Sequence, residues 1–296
     1  MKQYPRIFQE MYCEPLCVEV AVFHSAHAAI WPRFMNGQGL DIGGIAAAEK
    51  PTLNKFTGRR ASWCGPTRED NRFYWTVEGR PEIGVVPVYG ILAKNASWME
   101  EACYGITDIN GISHALGQVA AAKDVKTLIL DLASPGGQVT GIRELGNMVS
   151  AITAMRGKTV YAFTDDRCCS AAYWIASQAD EIYGTPSATV GSIGTYLAWL
   201  DESVRMQIEG VRLEFFGAGK YKGMGLPGKQ LTQEDRALLQ ARVDEINGWF
   251  TSAVTSKRPK ISGDTMQGQT FTGEQSVGVH LLDGLVNDWN EFLALI

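Results

Sequence analysis

One stretch constrains the fold of this chain more than any other: Val125-Lys126-Thr127-Leu128-Ile129-Leu130-Asp131-Leu132, followed by Ser134-Pro135-Gly136-Gly137. Its apolar centre is continuous rather than alternating. Such a strand is buried on both faces, which is the habit of a parallel sheet covered by helices. The flanking pattern agrees. Ile83 to Leu92 is a β-rich apolar run, and Thr107 can cap a helix carrying Ile109, Ile112, Leu116 and Val119. Ser134-Pro135-Gly136-Gly137 breaks the central strand. A helix follows with Ile142, Leu145, Val149 and Ile152 on one face. Strands are expected at Thr159 to Phe163, Glu181 to Tyr183 and Val211 to Phe216, with a helix of small and apolar residues starting at Ser170. Thr232-Gln233-Glu234-Asp235 and Thr272-Gly273-Glu274-Gln275 read as capping boxes. Strands alternating with helices give an α/β fold of repeated βαβ units. Residues 1 to 80 lack this regularity and are expected to form an irregular, mostly helical N-terminal appendage, with the main domain at 81–296.

Composition removes several classes. With 27 Lys+Arg against 32 Asp+Glu the net charge is −5, without the basic surplus of a nucleic-acid binder. No run of 18 apolar residues marks a membrane span, and the N-terminus lacks a signal peptide's apolar run. The expectation is a cytoplasmic protein without membrane or nucleic-acid partners. Six cysteines in 296 residues do not make a disulfide framework. Cys13, Cys17, His24 and His27 stand too close together for zinc-finger spacing, so neither a metal nor another cofactor is expected. Adjacent Cys168 and Cys169 are expected to pack as small apolar residues.

Three segments could carry chemistry. Ser134 to Gly137 lies at the carboxyl end of a buried strand, where α/β sheets bind ligands. Gly136 and Gly137 can turn backbone N–H groups toward a developing oxyanion; a tight turn explains them equally well. Ser170, in Cys168-Cys169-Ser170-Ala171-Ala172-Tyr173, opens a helix after a strand. It is a candidate nucleophile with Ala171 N–H as oxyanion donor, or simply a helix cap. Thr189-Val190-Gly191-Ser192-Ile193-Gly194 could pair with an extended peptide through Gly191, Ser192, Ile193 and Gly194, or be an ordinary turn. Ser192 is the weaker nucleophile candidate. None of the four histidines (His24, His27, His114, His280) follows a strand where a base would be wanted. Lysine is the other possible base. Lys220 stands in a glycine-rich loop, Phe215-Phe216-Gly217-Ala218-Gly219-Lys220, with Lys222 as its rival. Neutrality near pH 7 needs a fall of roughly 3 pKa units, about 4 kcal/mol, which burial can supply.

Taken in order, Asp131 to Gly137, Cys169 to Tyr173, Thr189 to Gly194, Gly217 to Lys220 and the closing Gly273 to Val286 resemble the signal peptide peptidase A family of serine peptidases, over roughly residues 81 to 290. The Cys169-Ser170-Ala171 and Glu14-Pro15-Leu16 sequences resemble its phage branch, the head-maturation and capsid assembly proteases. The resemblance implies a Clp-protease/crotonase-like fold and a Ser/Lys dyad of Ser170 and Lys220. It also implies oxyanion donors from Gly136 or Gly137 with Ala171, and a ring-shaped homo-oligomer in which the lysine can serve a neighbour's serine. It implies as substrates the capsid or scaffold proteins of a phage or prophage head, processed in the host cytoplasm at the procapsid. Ala171-Ala172, where many relatives carry glycines, and His280 depart from the pattern. The competing readings are a bacterial signal-peptide-peptidase-like protease, an inactive capsid-associated subunit, and a crotonase-type acyl-CoA enzyme.

Overall fold

The computed structural model describes residues 15–20, 23, 72–96 and 105–296. Among these the chain forms ten strands: β1 (Leu16–Val18), β2 (Trp75–Val77), β3 (Arg80–Ala93), β4 (Ile106–Asp108), β5 (Thr127–Gln138), β6 (Thr159–Cys169), β7 (Glu181–Gly184), β8 (Thr189–Gly191), β9 (Thr270–Thr272) and β10 (Gly284–Leu285). The helices are α1 (Ile109–Ala121), α2 (Ile142–Arg156), α3 (Ala171–Ala176), α4 (Ser203–Ile208), α5 (Gln233–Lys257), α6 (Gly273–Gly278) and α7 (Trp289–Leu295).

The sheet runs β10-β7-β6-β5-β3-β2, parallel from β10 to β3. This is the expected succession of βαβ units, and the alternation along its strands shows why the apolar runs are continuous. Leu128, Leu130 and Leu132 of β5, Val86 and Val88 of β3, and Val160 and Ala162 of β6 face the main core with α1, α2 and α3. Ile129, Val85 and Phe163 face a second cluster capped by Phe292 of α7. Phe163 stacks on Phe292 at 4.8 Å.

The long strands have two halves. Register shifts at Tyr89/Ile91 and Leu132/Ser134 bend them, as bulges do. Beyond the bends each takes a new neighbour: β3 pairs β4, β5 pairs β1, and β6 pairs β8. The segment Ser134 to Gly137 was expected to end the central strand; instead β5 continues through it to Gln138. Two close approaches explain this. A Cβ on Gly137 would lie 1.9 Å from Leu92 O, and one on Gly136 2.2 Å from Cys17 O, so the glycines admit neighbouring backbones.

Other expectations need revision. The cap of α1 is Asp108, whose side chain accepts from Asn110 N, whereas Thr107 Oγ1 donates to Tyr89 O. Val211 to Phe216 is not a strand: it is exposed and pairs with no strand among the described residues. Of the expected N-terminal appendage, the described stretches 16–18 and 75–77 are strands of the sheet and the described Val20 and Phe23 are helical. Both capping boxes form, Thr232 with Asp235 and Thr272 with Gln275. Cys168 and Cys169 are buried free thiols, as expected. Cys13, His24 and His27 lie outside the described residues, and no group of metal-ligating side chains occurs among the described ones. No helix among them is long and apolar enough to cross a membrane.

Candidate active site

Ser170 sits where β6 gives way to α3. Its φ of 54° and ψ of −118° are unusual for a residue with a side chain. The surroundings hold this elbow in place. Ser170 N donates to Gly191 O at 2.8 Å, Trp174 N donates to Ser170 O at 2.9 Å, and the helix behind it is wholly buried. Trp174 stacks on Phe250 of α5 at 4.7 Å, which anchors the helix from outside. The Ser170 hydroxyl is buried and has no hydrogen-bond partner among the described residues. Ser170 stands at the N-cap position of α3, but its side chain makes no capping hydrogen bond. A buried hydroxyl left unbonded costs free energy, and such orphans persist where function requires them.

The glycine edge of β5 meets this elbow. The point where a Gly136 Cβ would stand is 2.9 Å from both Ala171 N and Ser170 Cβ. Gly136 has φ +96°, a conformation that suits glycine. Its N–H donates to Ser134 Oγ at 3.1 Å, and Ser134 Oγ donates to Gly90 O at 2.6 Å. Gly136 is therefore occupied as a donor and contributes space. Ala171 N–H, at the first position of α3, has no partner within the helix by position.

The other candidates are placed less simply. Gly191 to Gly194 was expected to offer free backbone to a peptide. Instead β8 is paired on both sides, by β6 and β9. Gly191 O accepts from Ser170, Ser192 N donates to Gln269 O at 2.7 Å, and Gly268 N donates to Ile193 O at 2.9 Å. These pairings brace the elbow rather than present an edge. Ser192, with φ 51°, belongs to the same brace.

Lys220 is not beside Ser170 in the single chain. It lies on an exposed loop, 2.8 Å from Glu234 Oε2. The hydrogen bond it donates to Glu234 raises its pKa above the ordinary lysine value, the opposite of what a neutral base requires. Lys222 is likewise exposed. His114 packs against Phe73 at 4.3 Å and His280 is exposed at the end of α6. The loop belongs to a longer exposed arm, residues 203–238, with Ile208 82% and Phe216 89% exposed and Val204, Val211, Phe215 and Leu238 also open to solvent.

Sequence reasoning missed Cys17. Its thiol lies 3.3 Å from Thr195 Oγ1 and beside Ser170. Burial pushes it up to about 11, against the weaker pull of the Thr195 hydroxyl. Nothing in the sequence signals this, because the contact depends on pairing across the sheet.

Comparison with known proteins bears on this geometry. The model of peptidase family S49 matches residues 153–293, a span that includes Ser170 and Lys220. The chain is 30% identical to the capsid assembly protease C of Escherichia phage lambda, over 97% of its own length and 64% of that relative's. It is 30% identical to the head-tail preconnector protein GP5 of Enterobacteria phage P21, over 73% and 42%. A putative signal peptide peptidase SppA from Enterococcus faecium is 25% identical over 57% and 49%. The chain thus spans less than two thirds of these relatives. Among solved structures, the ClpP1 N165D mutant from Listeria monocytogenes overlays with a TM-score of 0.44 at 11% identity, covering 70% of this chain and 93% of that one.

Proposed function

We propose that this protein is a serine endopeptidase whose nucleophile is Ser170. The observation that carries the reading is the Ser170 hydroxyl itself: buried, unbonded, and held at a strained elbow beside the glycine edge of β5. In the reaction Ser170 Oγ attacks a peptide carbonyl carbon as its proton passes to a base. The oxyanion is met by Ala171 N–H and Gly137 N–H, each such donor being worth ~2.7–4 kcal/mol of barrier. The base returns the proton to the leaving amine, and water then hydrolyses the acyl-enzyme.

The base in this reading is Lys220 of a neighbouring copy. The exposed apolar residues of the 203–238 arm support it, since a second copy seated there removes water from both the arm and the lysine. Desolvation and loss of the Glu234 contact both favour the neutral amine. The chain in this reading works as a closed homo-oligomer in the host cytoplasm. The similarity to two phage head proteins favours capsid or scaffold proteins as substrates.

The test is to treat the purified protein with a fluorophosphonate and map the adduct by mass spectrometry. An adduct on Ser170, lost in Ser170→Ala and strongly slowed in Lys220→Ala, is expected. An adduct elsewhere, or none in a folded oligomer, overturns the assignment.

A further inference from the structure

The edge of β5 beside Ser170 is already filled. Leu16, Cys17 and Val18 lie antiparallel to it, opposite Gln138, Gly137 and Gly136. Glu19 N donates to Pro135 O at 2.9 Å, which makes Cys17 and Gly137 the next hydrogen-bonded pair of the ladder. On its other side the segment exchanges two bonds with Tyr196: Leu16 N donates to Tyr196 O at 2.8 Å and Tyr196 N to Leu16 O at 3.1 Å. Arg167 pairs with Glu19 at 3.4 Å, and the Phe23 ring meets the Tyr196 ring edge-on at 5.7 Å. An extended segment bonded along both edges is how proteins bind peptides by strand addition.

Its position relative to the nucleophile is specific. Cys17 O lies 2.2 Å from the point where a Gly136 Cβ would stand, and Ala171 N and Ser170 Cβ are each 2.9 Å from that same point. The Cys17 carbonyl, in register with Gly137, thus lies on the same side of Gly136 as Ala171 N and Ser170 Cβ, beside the two donors assigned above to the oxyanion. The Cys17 side chain is fully buried against Thr195 and Ser170.

We propose that residues 15–19 are a built-in pseudosubstrate. They occupy the strand position of the substrate peptide over Ser170 and hold the enzyme inactive until displaced. The proposal rests on Ser170 being the nucleophile. It adds that access to Ser170 is governed by the chain's own N-terminal segment, and that a substrate must be an extended peptide able to displace it.

The test uses the full chain with Leu16→Pro and Glu19→Pro. Each removes one donor to the flanking backbone, and proline at either position keeps the preceding residue extended. Two backbone hydrogen bonds of ordinary net strength correspond to about a thirtyfold change in occupancy, so the double variant is expected to react with a fluorophosphonate at Ser170 about thirty times faster than wild type. A second measurement needs no variant. Wild-type protein carrying the Ser170 adduct is treated with iodoacetamide, and alkylation of Cys17 is read by peptide mapping. Displacement of the segment predicts at least tenfold faster alkylation of Cys17 in the adduct than in untreated protein.

Equal fluorophosphonate rates in folded wild type and double variant, with Cys17 still protected in the adduct, overturn the proposal and leave Ser170 as nucleophile. No adduct on Ser170 in any variant removes the nucleophile and the proposal together. Spontaneous cleavage of wild type between Cys17 and Val18 also overturns it, because the segment would then be a substrate rather than an inhibitor.

Discussion

Gly136→Ala is the most direct probe of the elbow. The added Cβ would stand 2.2 Å from Cys17 O and 2.9 Å from Ala171 N and Ser170 Cβ. None of these atoms ends a flexible side chain, so backbone must move. The native φ of +96° is itself costly for alanine, on the order of 1–3 kcal/mol. The atoms that can yield are those surrounding the oxyanion position. Losing one such donor costs ~2.7–4 kcal/mol, or about 10²–10³ in rate. The expected result is a fluorophosphonate labelling rate at Ser170 lower by about 10²–10³, with Tm lower by roughly 2–12 °C at 2–4 °C per kcal/mol. The same clash loosens the N-terminal segment, so the comparison is made in the Glu19→Pro background, where that segment is already weakened. Gly248→Ala is the control. It lies in α5 with nothing within 4 Å of its added Cβ, and alanine there should raise Tm slightly without touching the labelling rate. Wild-type labelling and an unchanged Tm in Gly136→Ala would refute the role given to this glycine.

Four further outcomes are expected. Glu234→Gln removes the carboxylate that holds Lys220 above its ordinary pKa in the single chain, a contact the assembled enzyme has given up in this reading, so the alkaline rise of the labelling pH profile should stay in place; a profile moved to lower pH would show that the contact persists in the active enzyme. Phe216→Glu with Ile208→Glu places charge on the exposed arm and should yield monomers with little labelling, read by light scattering and mass spectrometry; intact oligomers would remove the arm as the interface. Phe250→Ala empties the stack behind α3 and should destabilise the fold by ~3–5 kcal/mol in denaturant melts. Lys158→Met removes a buried ammonium that donates to Ala122 O and Val125 O, and should lower stability by a few kcal/mol, since bonds to charged groups are worth about 1.5–3 kcal/mol each.

The parts of the molecule legible in the sequence are those fixed by local pattern. β3, β5 and β6 announce themselves because both faces are covered and their centres are continuous apolar runs. Ser170 is legible because small residues flank it where a strand turns into a helix. The capping boxes are legible because Thr232 and Asp235, or Thr272 and Gln275, meet within one turn. What escaped depends on partners distant in sequence. The run Val211 to Phe216 has strand-like residues but no strand to pair with. Ser134 to Gly137 reads as a break because Pro-Gly-Gly usually is one; here the glycines admit the backbones of Leu92 and Cys17. Leu16 to Val18 is three residues long, and its partner lies more than a hundred positions away. Lys220 is legible as a residue but not in its setting, since a single chain leaves it paired with Glu234.

The 25-residue helix α5 carries its buried apolar residues, Ile246, Phe250 and Val254, in its later half. At ~1.5 Å per residue, roughly 19 Å of helix precedes Ile246, with Asp235 buried within it. In the proposed oligomer this stretch would work as a spacer gauge, fixing how far and at what angle the next subunit can sit. One residue inserted into it would turn everything beyond by about 100°. Assembly geometry would then be lost while each subunit's own interior stayed intact.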